Sequence, residues 1–153
     1  MGSGYLKLST KGRYGVKAMV DLAIHYSEEP SSIKSISERQ NISEYYLEQL
    51  FSSLRKSNLI KSIRGAQGGY ILNREPKDIT IADIMGVLEG PVEISDCIDE
   101  NSESSCSRID CCATRLLWSK IKESIDQVMK FTTLQDMVDD YNQMIQQKNK
   151  RNK

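Results

Sequence analysis

The sequence predicts a mainly α-helical chain with one small β-hairpin, and three observations carry that expectation. Two short amphipathic helices lie a brief turn apart between residues 33 and 56. The apolar period then changes to that of two short strands around a glycine-rich loop, and helical spacing returns for a long stretch from Ala113. A helix-turn-helix followed by a hairpin is the winged-helix arrangement, and 153 residues suit about one such domain with a helical extension.

Each element has its own signal. Thr10 to Ser27 forms the first helix, because Val16, Met19, Val20, Ala23 and Ile24 recur at helical spacing. Ser9 or Thr10 supplies its N-cap, and Pro30 lies beyond its stop. A short helix follows over 33–40, with Ile33 and Ile36 on its buried side. Asn41 and Ile42 make the turn. Ser43 caps the next helix, whose apolar stripe is Leu47, Leu50, Phe51 and Leu54. Residues 59–63 alternate as a strand does, and residues 69–72 read as its partner across the Arg64–Gly69 loop. Thr80 caps a helix to about Leu88, with Ile81, Ile84, Met85 and Leu88 as apolar positions, and Gly90-Pro91 breaks it. Residues 92–112 are polar, acidic and without apolar periodicity. Beyond them Leu116, Leu117, Ile121, Ile125 and Val128 form a helical stripe. Thr132-Thr133 then caps a last helix to about Ile145, and a Lys/Asn-rich tail is expected to fray. The expected division is 6–75 winged helix-turn-helix, 76–92 connecting helix, 93–112 cysteine loop, 113–147 dimerisation helices and 148–153 tail.

Composition narrows the function classes. Hydrophobic residues make up 39% and charged residues 27%, as in an ordinary globular protein. No apolar run approaches the roughly 20 residues of a membrane helix. The opening Met-Gly-Ser-Gly reads as a cloning remnant rather than a secretory signal, so a cytoplasmic protein is expected. Net charge is zero, but it averages unlike parts: +4 over residues 1–75, −7 over 76–112 and +3 over 113–153. A basic first half beside an acidic middle suits a polyanion on one face.

The exposed face of the helix capped by Ser43 offers Ser43, Glu44, Tyr45, Glu48, Arg55 and Lys56. A recognition helix turns such side chains toward base edges, while cations touch phosphates. Arg64 and Gln67 in the wing, with Lys7, Lys11 and Arg13 near the start, are candidates for backbone or minor-groove contact. Glu48 suits no phosphate, so its role would be to accept from a cytosine amino group. A protein-interaction module, or simply solvated helix faces, would show the same periodicity. Catalysis is not expected: the chain has one histidine, His25, and no P-loop, dinucleotide, zinc-protease or nucleophile-elbow motif. The glycine-rich loop joins two strands rather than a strand and a helix, so it is no phosphate cradle.

All four cysteines, Cys97, Cys106, Cys111 and Cys112, fall within sixteen residues. A disulfide framework would spread them to staple distant elements, so clustering points to metal or redox chemistry. Zinc on four thiolates is an alternative, though the spacing lacks paired C-x-x-C knuckles, and metal-free thiol sensing is another.

Several strings carry a resemblance. Leu-Ser-Thr-Lys-Gly-Arg-Tyr-Gly-Val at 8–16, Ile-Ser-Glu-Arg-Gln at 36–40, Tyr-Leu-Glu-Gln-Leu-Phe at 46–51, Leu-Arg-Lys at 54–56 and Arg-Gly-Ala-Gln-Gly-Gly-Tyr at 64–70 occur in order. They closely resemble the IscR, NsrR and CymR family of bacterial regulators, and the likeness covers about residues 6–145. The resemblance implies a homodimeric winged-helix transcription regulator whose long helix, here about 113–130, crosses between subunits. It also implies an iron–sulfur cluster on three cysteines in IscR- and NsrR-like members, and none in CymR-like members. Cys97, Cys106 and Cys112 match those three positions, with Trp118 setting the register. The fourth ligand departs from the pattern. The IscR-type histidine position holds Arg115 and the NsrR-type aspartate position holds Arg13, which leaves Cys111 as a further candidate.

The expected function is therefore a repressor of iron–sulfur cluster biogenesis genes that senses through a bound cluster, 2Fe-2S or alternatively 4Fe-4S. Its expected partners are double-stranded operator DNA, a second copy of the chain and cluster-donating proteins. The alternatives are a nitric-oxide or redox sensor of the NsrR kind, and a metal-free regulator of cysteine metabolism acting with a partner enzyme, as CymR-like proteins do.

Overall fold

The computed structural model describes residues 7–99 and 106–153. The opening residues 1–6 and part of the acidic cysteine loop, 100–105, lie outside the described residues. The order of elements is α1 (Thr10–Ile24), α2 (Ile33–Gln40), α3 (Glu44–Lys56), β1 (Ile60–Ile63), β2 (Gly69–Leu72), α4 (Ile81–Leu88), α5 (Ala113–Phe131) and α6 (Leu134–Arg151). Single 3-10 turns lie at Pro76–Asp78 and Asp96–Ile98.

Most helices start where a side chain satisfies an orphan backbone donor. Ser9, rather than Thr10, accepts from the Gly12 N–H, and Ser43 accepts from that of Tyr46. Thr80 and Thr133 each build a full capping box, with Asp83 and Asp136. The two strands pair antiparallel in the register Ile60 with Leu72 to Ile63 with Gly69. Ser31 extends this hairpin through an isolated bridge to Tyr70. Gly69 is required there, because a Cβ would sit 2.5 Å from the Ser31 carbonyl oxygen.

Three boundaries differ from those the sequence suggests, the first strand by one residue, since it begins at Ile60 rather than Leu59. α1 ends at Ile24 rather than Ser27, because the chain turns at once, with the His25 N–H bonded to Asp21 and that of Tyr26 to Ala23. The tail assigned to 148–153 is helical through Arg151, six residues beyond Ile145. No glycine or proline interrupts that stretch, and Lys148, Lys150 and Arg151 complement the helix C-terminus.

The core lies where α1, α2, α3 and α4 meet the hairpin. Met19, Ile36, Leu47, Phe51, Leu54, Ile79 and Ile84 are fully buried, and α6 contributes Leu134. α1 and α4 pack closely because Gly15 leaves room for Leu88, where a Cβ would fall 2.0 Å from Leu88 Cδ1. Asp21, 2% exposed, ties α1 to α2 in the same half. Its carboxylate accepts from Arg39 Nε at 3.0 Å and Gln40 Nε2 at 2.8 Å, and Arg39 also donates to Ser31 Oγ. The carboxylate's hydrogen bond favours the charged guanidinium of Arg39, against the smaller opposing effect of burial.

The second half is attached differently. A backbone bridge pairs Thr80 with Thr133, with the Ile81 N–H on Thr132 O and the Leu134 N–H on Ile79 O, both at 2.9 Å. α4 and α6 thus start side by side. α5 contains no buried residue at all.

Candidate nucleic-acid interface and cysteine segment

α3 presents its apolar stripe to the core, so the opposite face is free. Tyr45, at 71% exposure, and Glu48 stand on that face near its N-terminal end. Gln49 is exposed beside them, and the sequence reading missed it; one turn of helical spacing from Tyr45 was the available signal. Ser43 spends its hydroxyl on the cap. Arg55 and Lys56 are exposed in the last turn, about 15 Å along the axis from Tyr45 at 1.5 Å per residue. They do not join the N-terminal cluster.

The first helix does join it. The Tyr14 ring meets Tyr46 edge to face at 5.8 Å, which sets the first turns of α1 against the start of α3. Lys7, Lys11 and Arg13 are exposed on this flank. Lys17 Nζ lies 5.7 Å from the Tyr14 ring centre and adds a cation that the sequence reading did not single out. Phe51 and Tyr70, ring centres 4.9 Å apart, hold the hairpin against the middle of α3. Arg64 and Gln67 are exposed at the hairpin tip. Helix and wing therefore offer two separate contact points on a rigid support.

The cysteines occupy a different part of the molecule. Cys97 sits in the 3-10 turn, with its sulfur 3.2 Å from Ser95 Oγ. Cys112 is the N-cap of α5, its sulfur 3.0 Å from Thr114 Oγ1. That hydroxyl, then the backbone N–H of Arg115, hold the Cys112 thiol below the ordinary cysteine range. Cys106 and Cys111 are exposed on the turns leading to the helix. Arg115 Nε donates to the Cys97 carbonyl at 3.2 Å, linking the two ends of the segment. Among the described residues, no three of His, Cys, Asp or Glu gather into a group that could hold a metal ion. The donor set itself suits iron and sulfide: four soft thiols, one held at a helix N-terminus that favours the thiolate. His25 is not part of it; its Nδ1 pairs with Glu28 at 2.7 Å.

A helix-turn-helix with an exposed polar helix, a projecting wing and a cation-bearing first helix defines a winged-helix DNA-binding protein. Residues 8–140 match the Rrf2 family, described as an iron-dependent transcriptional regulator. The HTH-type transcriptional regulator CymR of Bacillus subtilis is 46% identical over 132 residues, covering 86% of this chain and 89% of that protein. IscR of Xenorhabdus nematophila is 40% identical over 133 residues, covering 87% and 79%. The solved structure of T. potens IscR superposes with a TM-score of 0.73 at 51% identity, covering 92% and 91%. The chain belongs to the Rrf2 family of transcriptional regulators. Its relatives are regulators, not enzymes.

Proposed function

We propose that the protein is a cytoplasmic, homodimeric repressor of iron–sulfur cluster biogenesis genes, sensing through a cluster held by Cys97, Cys106 and Cys112. The observation that carries this reading is that the cysteine segment runs straight into α5, a helix with no buried residue and with Leu116, Leu117, Val128 and Phe131 exposed. An apolar helix face of that kind suits a second copy of the chain, paired through the same face about a two-fold axis. Two recognition helices would then meet half-sites about 34–36 Å apart, or a multiple of that.

An iron–sulfur cluster, 2Fe-2S or 4Fe-4S, would supply a redox- and supply-sensitive ligand for the thiolates. Cys97 and Cys112 hold opposite ends of the segment, and closing them together would bias how the start of α5 is set. Such coupling needs only about 1–3 kcal/mol of difference between the states. Tyr45, Glu48 and Gln49 would face base edges, while Lys7, Lys11, Arg13, Lys17 and Arg64 would take phosphates or the minor groove.

The test is iron and sulfide per protomer after anaerobic reconstitution. Cys97→Ala, Cys106→Ala and Cys112→Ala should each abolish stable loading while the chain still dimerises, with Cys111→Ala milder. Equal loss in Cys111→Ala would make Cys111 the fourth ligand, and full iron in all four variants would sink the cluster. A second reading, a metal-free regulator of cysteine metabolism, is favoured by the 46% identity to CymR. A colourless, iron-free protein after anaerobic purification and reconstitution would select it.

A further inference from the structure

Cys97 and Cys112 lie on segments fifteen positions apart in sequence, and one side chain spans them. Arg115, in the first turn of α5, donates from Nε to the Cys97 carbonyl at 3.2 Å, a partly buried bond. Arg115 lies three residues after Cys112, the N-cap of the same helix. Beyond this clamp, Ile98 shares an open cleft with Ser119, Lys122, Glu123 and Asp126, so the 3-10 turn also lies beside the middle of α5. Ser95 adds a hydroxyl on the Cys97 sulfur at 3.2 Å.

We infer that Arg115 is a positioning residue, which holds the main chain of Cys97 against the start of α5 so that Cys97 and Cys112 stand at one edge. The inference rests on the cluster reading for its purpose, but the clamp itself is a property of the metal-free chain. Arg115 does not ligate, since a guanidinium stays charged and offers no lone pair. Its planar fork suits the task better than a lysine ammonium, because a fixed donor geometry loses less on forming the bond. Partners that orient ligands in this way commonly change metal affinity by about 10–100-fold when removed.

The test compares the full-length wild type with Arg115→Met and Arg115→Lys. In metal-free protein, amide hydrogen exchange over residues 96–99 should rise about tenfold or more in Arg115→Met, while the urea midpoint of the folded domain stays put. After anaerobic reconstitution with ferrous iron and sulfide, the visible absorbance should decay about tenfold faster to an iron chelator in Arg115→Met. Arg115→Lys should fall between the two. Unchanged exchange together with unchanged decay overturns the inference, and so does faster exchange with unchanged decay, which would make Arg115 a tie for the loop alone. A wild type that takes up no iron removes the cluster reading. Exchange then decides the clamp: a rise supports it and no rise overturns it.

Discussion

Two phenylalanines show how differently the halves of this molecule are built. Phe51, in α3, is fully buried, with its ring edge to face against Tyr70, inside a core that four helices and the hairpin close. Phe131, at the end of α5, is 74% exposed, and Leu116, Leu117 and Val128 on the same helix are exposed with it. The winged half buries most of its apolar side chains within one chain, Tyr45 on the free face of α3 being an exception, whereas α5 keeps a stripe that the single chain leaves exposed. The first half closes its core within one chain, with Leu134 of α6 added to it. The second is complete only in whatever state covers that stripe.

Replacing both phenylalanines in turn is the sharpest way to break this comparison. Phe51→Ala should cost about 3–5 kcal/mol in urea unfolding, through lost burial and the cavity left behind. Phe131→Ala should change the unfolding of the isolated subunit by less than about 0.5 kcal/mol. It should instead weaken self-association, read as an apparent midpoint whose concentration dependence sets in only at higher protein concentration than in the wild type. Equal losses from the two variants at high dilution would erase the distinction between the halves.

The polar counterpart of Phe51 is Asp21. Asp21→Ala should destabilise the winged half by about 1–3 kcal/mol, since Arg39 and Gln40 lose their acceptor. The loss stays below that of a fully buried ion pair because the Arg39 side chain is 35% exposed and can recover water. Thermal unfolding within about 2 °C of wild type would show that the network contributes little.

At the exposed end of the same half the effects become functional rather than structural. Arg64→Ala should lower DNA affinity for all sequences alike and reduce the salt slope by about one unit. Glu48→Ala should leave that slope unchanged and relax base preference in a binding-site selection. Interchanged results would reverse the roles of wing and helix.

The smallest expected effect lies in the second half. In metal-free protein the Cys112 thiol should become alkylated by iodoacetamide at lower pH than a free cysteine, because the Thr114 hydroxyl and nearby backbone N–H groups stabilise its thiolate. Thr114→Val should move that midpoint upward. A midpoint that does not move would assign the effect to the helix start alone.

Much of the fold was legible in the chain because its signals are local. The second helix over 33–40, the strand at 69–72, the helix from Thr80 to Leu88 and the start of α5 at Ala113 coincide with what periodicity and caps predict. Serine and threonine caps act within three residues, so their chemistry is readable without knowing the fold. The end of α6 was not legible in this way. Its Lys/Asn-rich composition suggested a frayed tail, but nothing in it breaks a helix and its cations suit a helix end.

The sequence by itself therefore determined the elements, the recognition-helix candidates Tyr45 and Glu48, and the four thiols, since residue type and spacing carry these. Only the tertiary structure decided which distant groups meet: Glu89 on the Gly12 N–H across 77 positions, Asp21 with Arg39, and Arg115 with the Cys97 carbonyl. It also decided that Lys17 belongs to the α1 flank and that Arg55 and Lys56 lie at the far end of α3. Periodicity marks which face of a helix is apolar, but what covers that face depends on how helices dock. Docking is settled by packing between residues far apart in the chain, and no short window of sequence contains it.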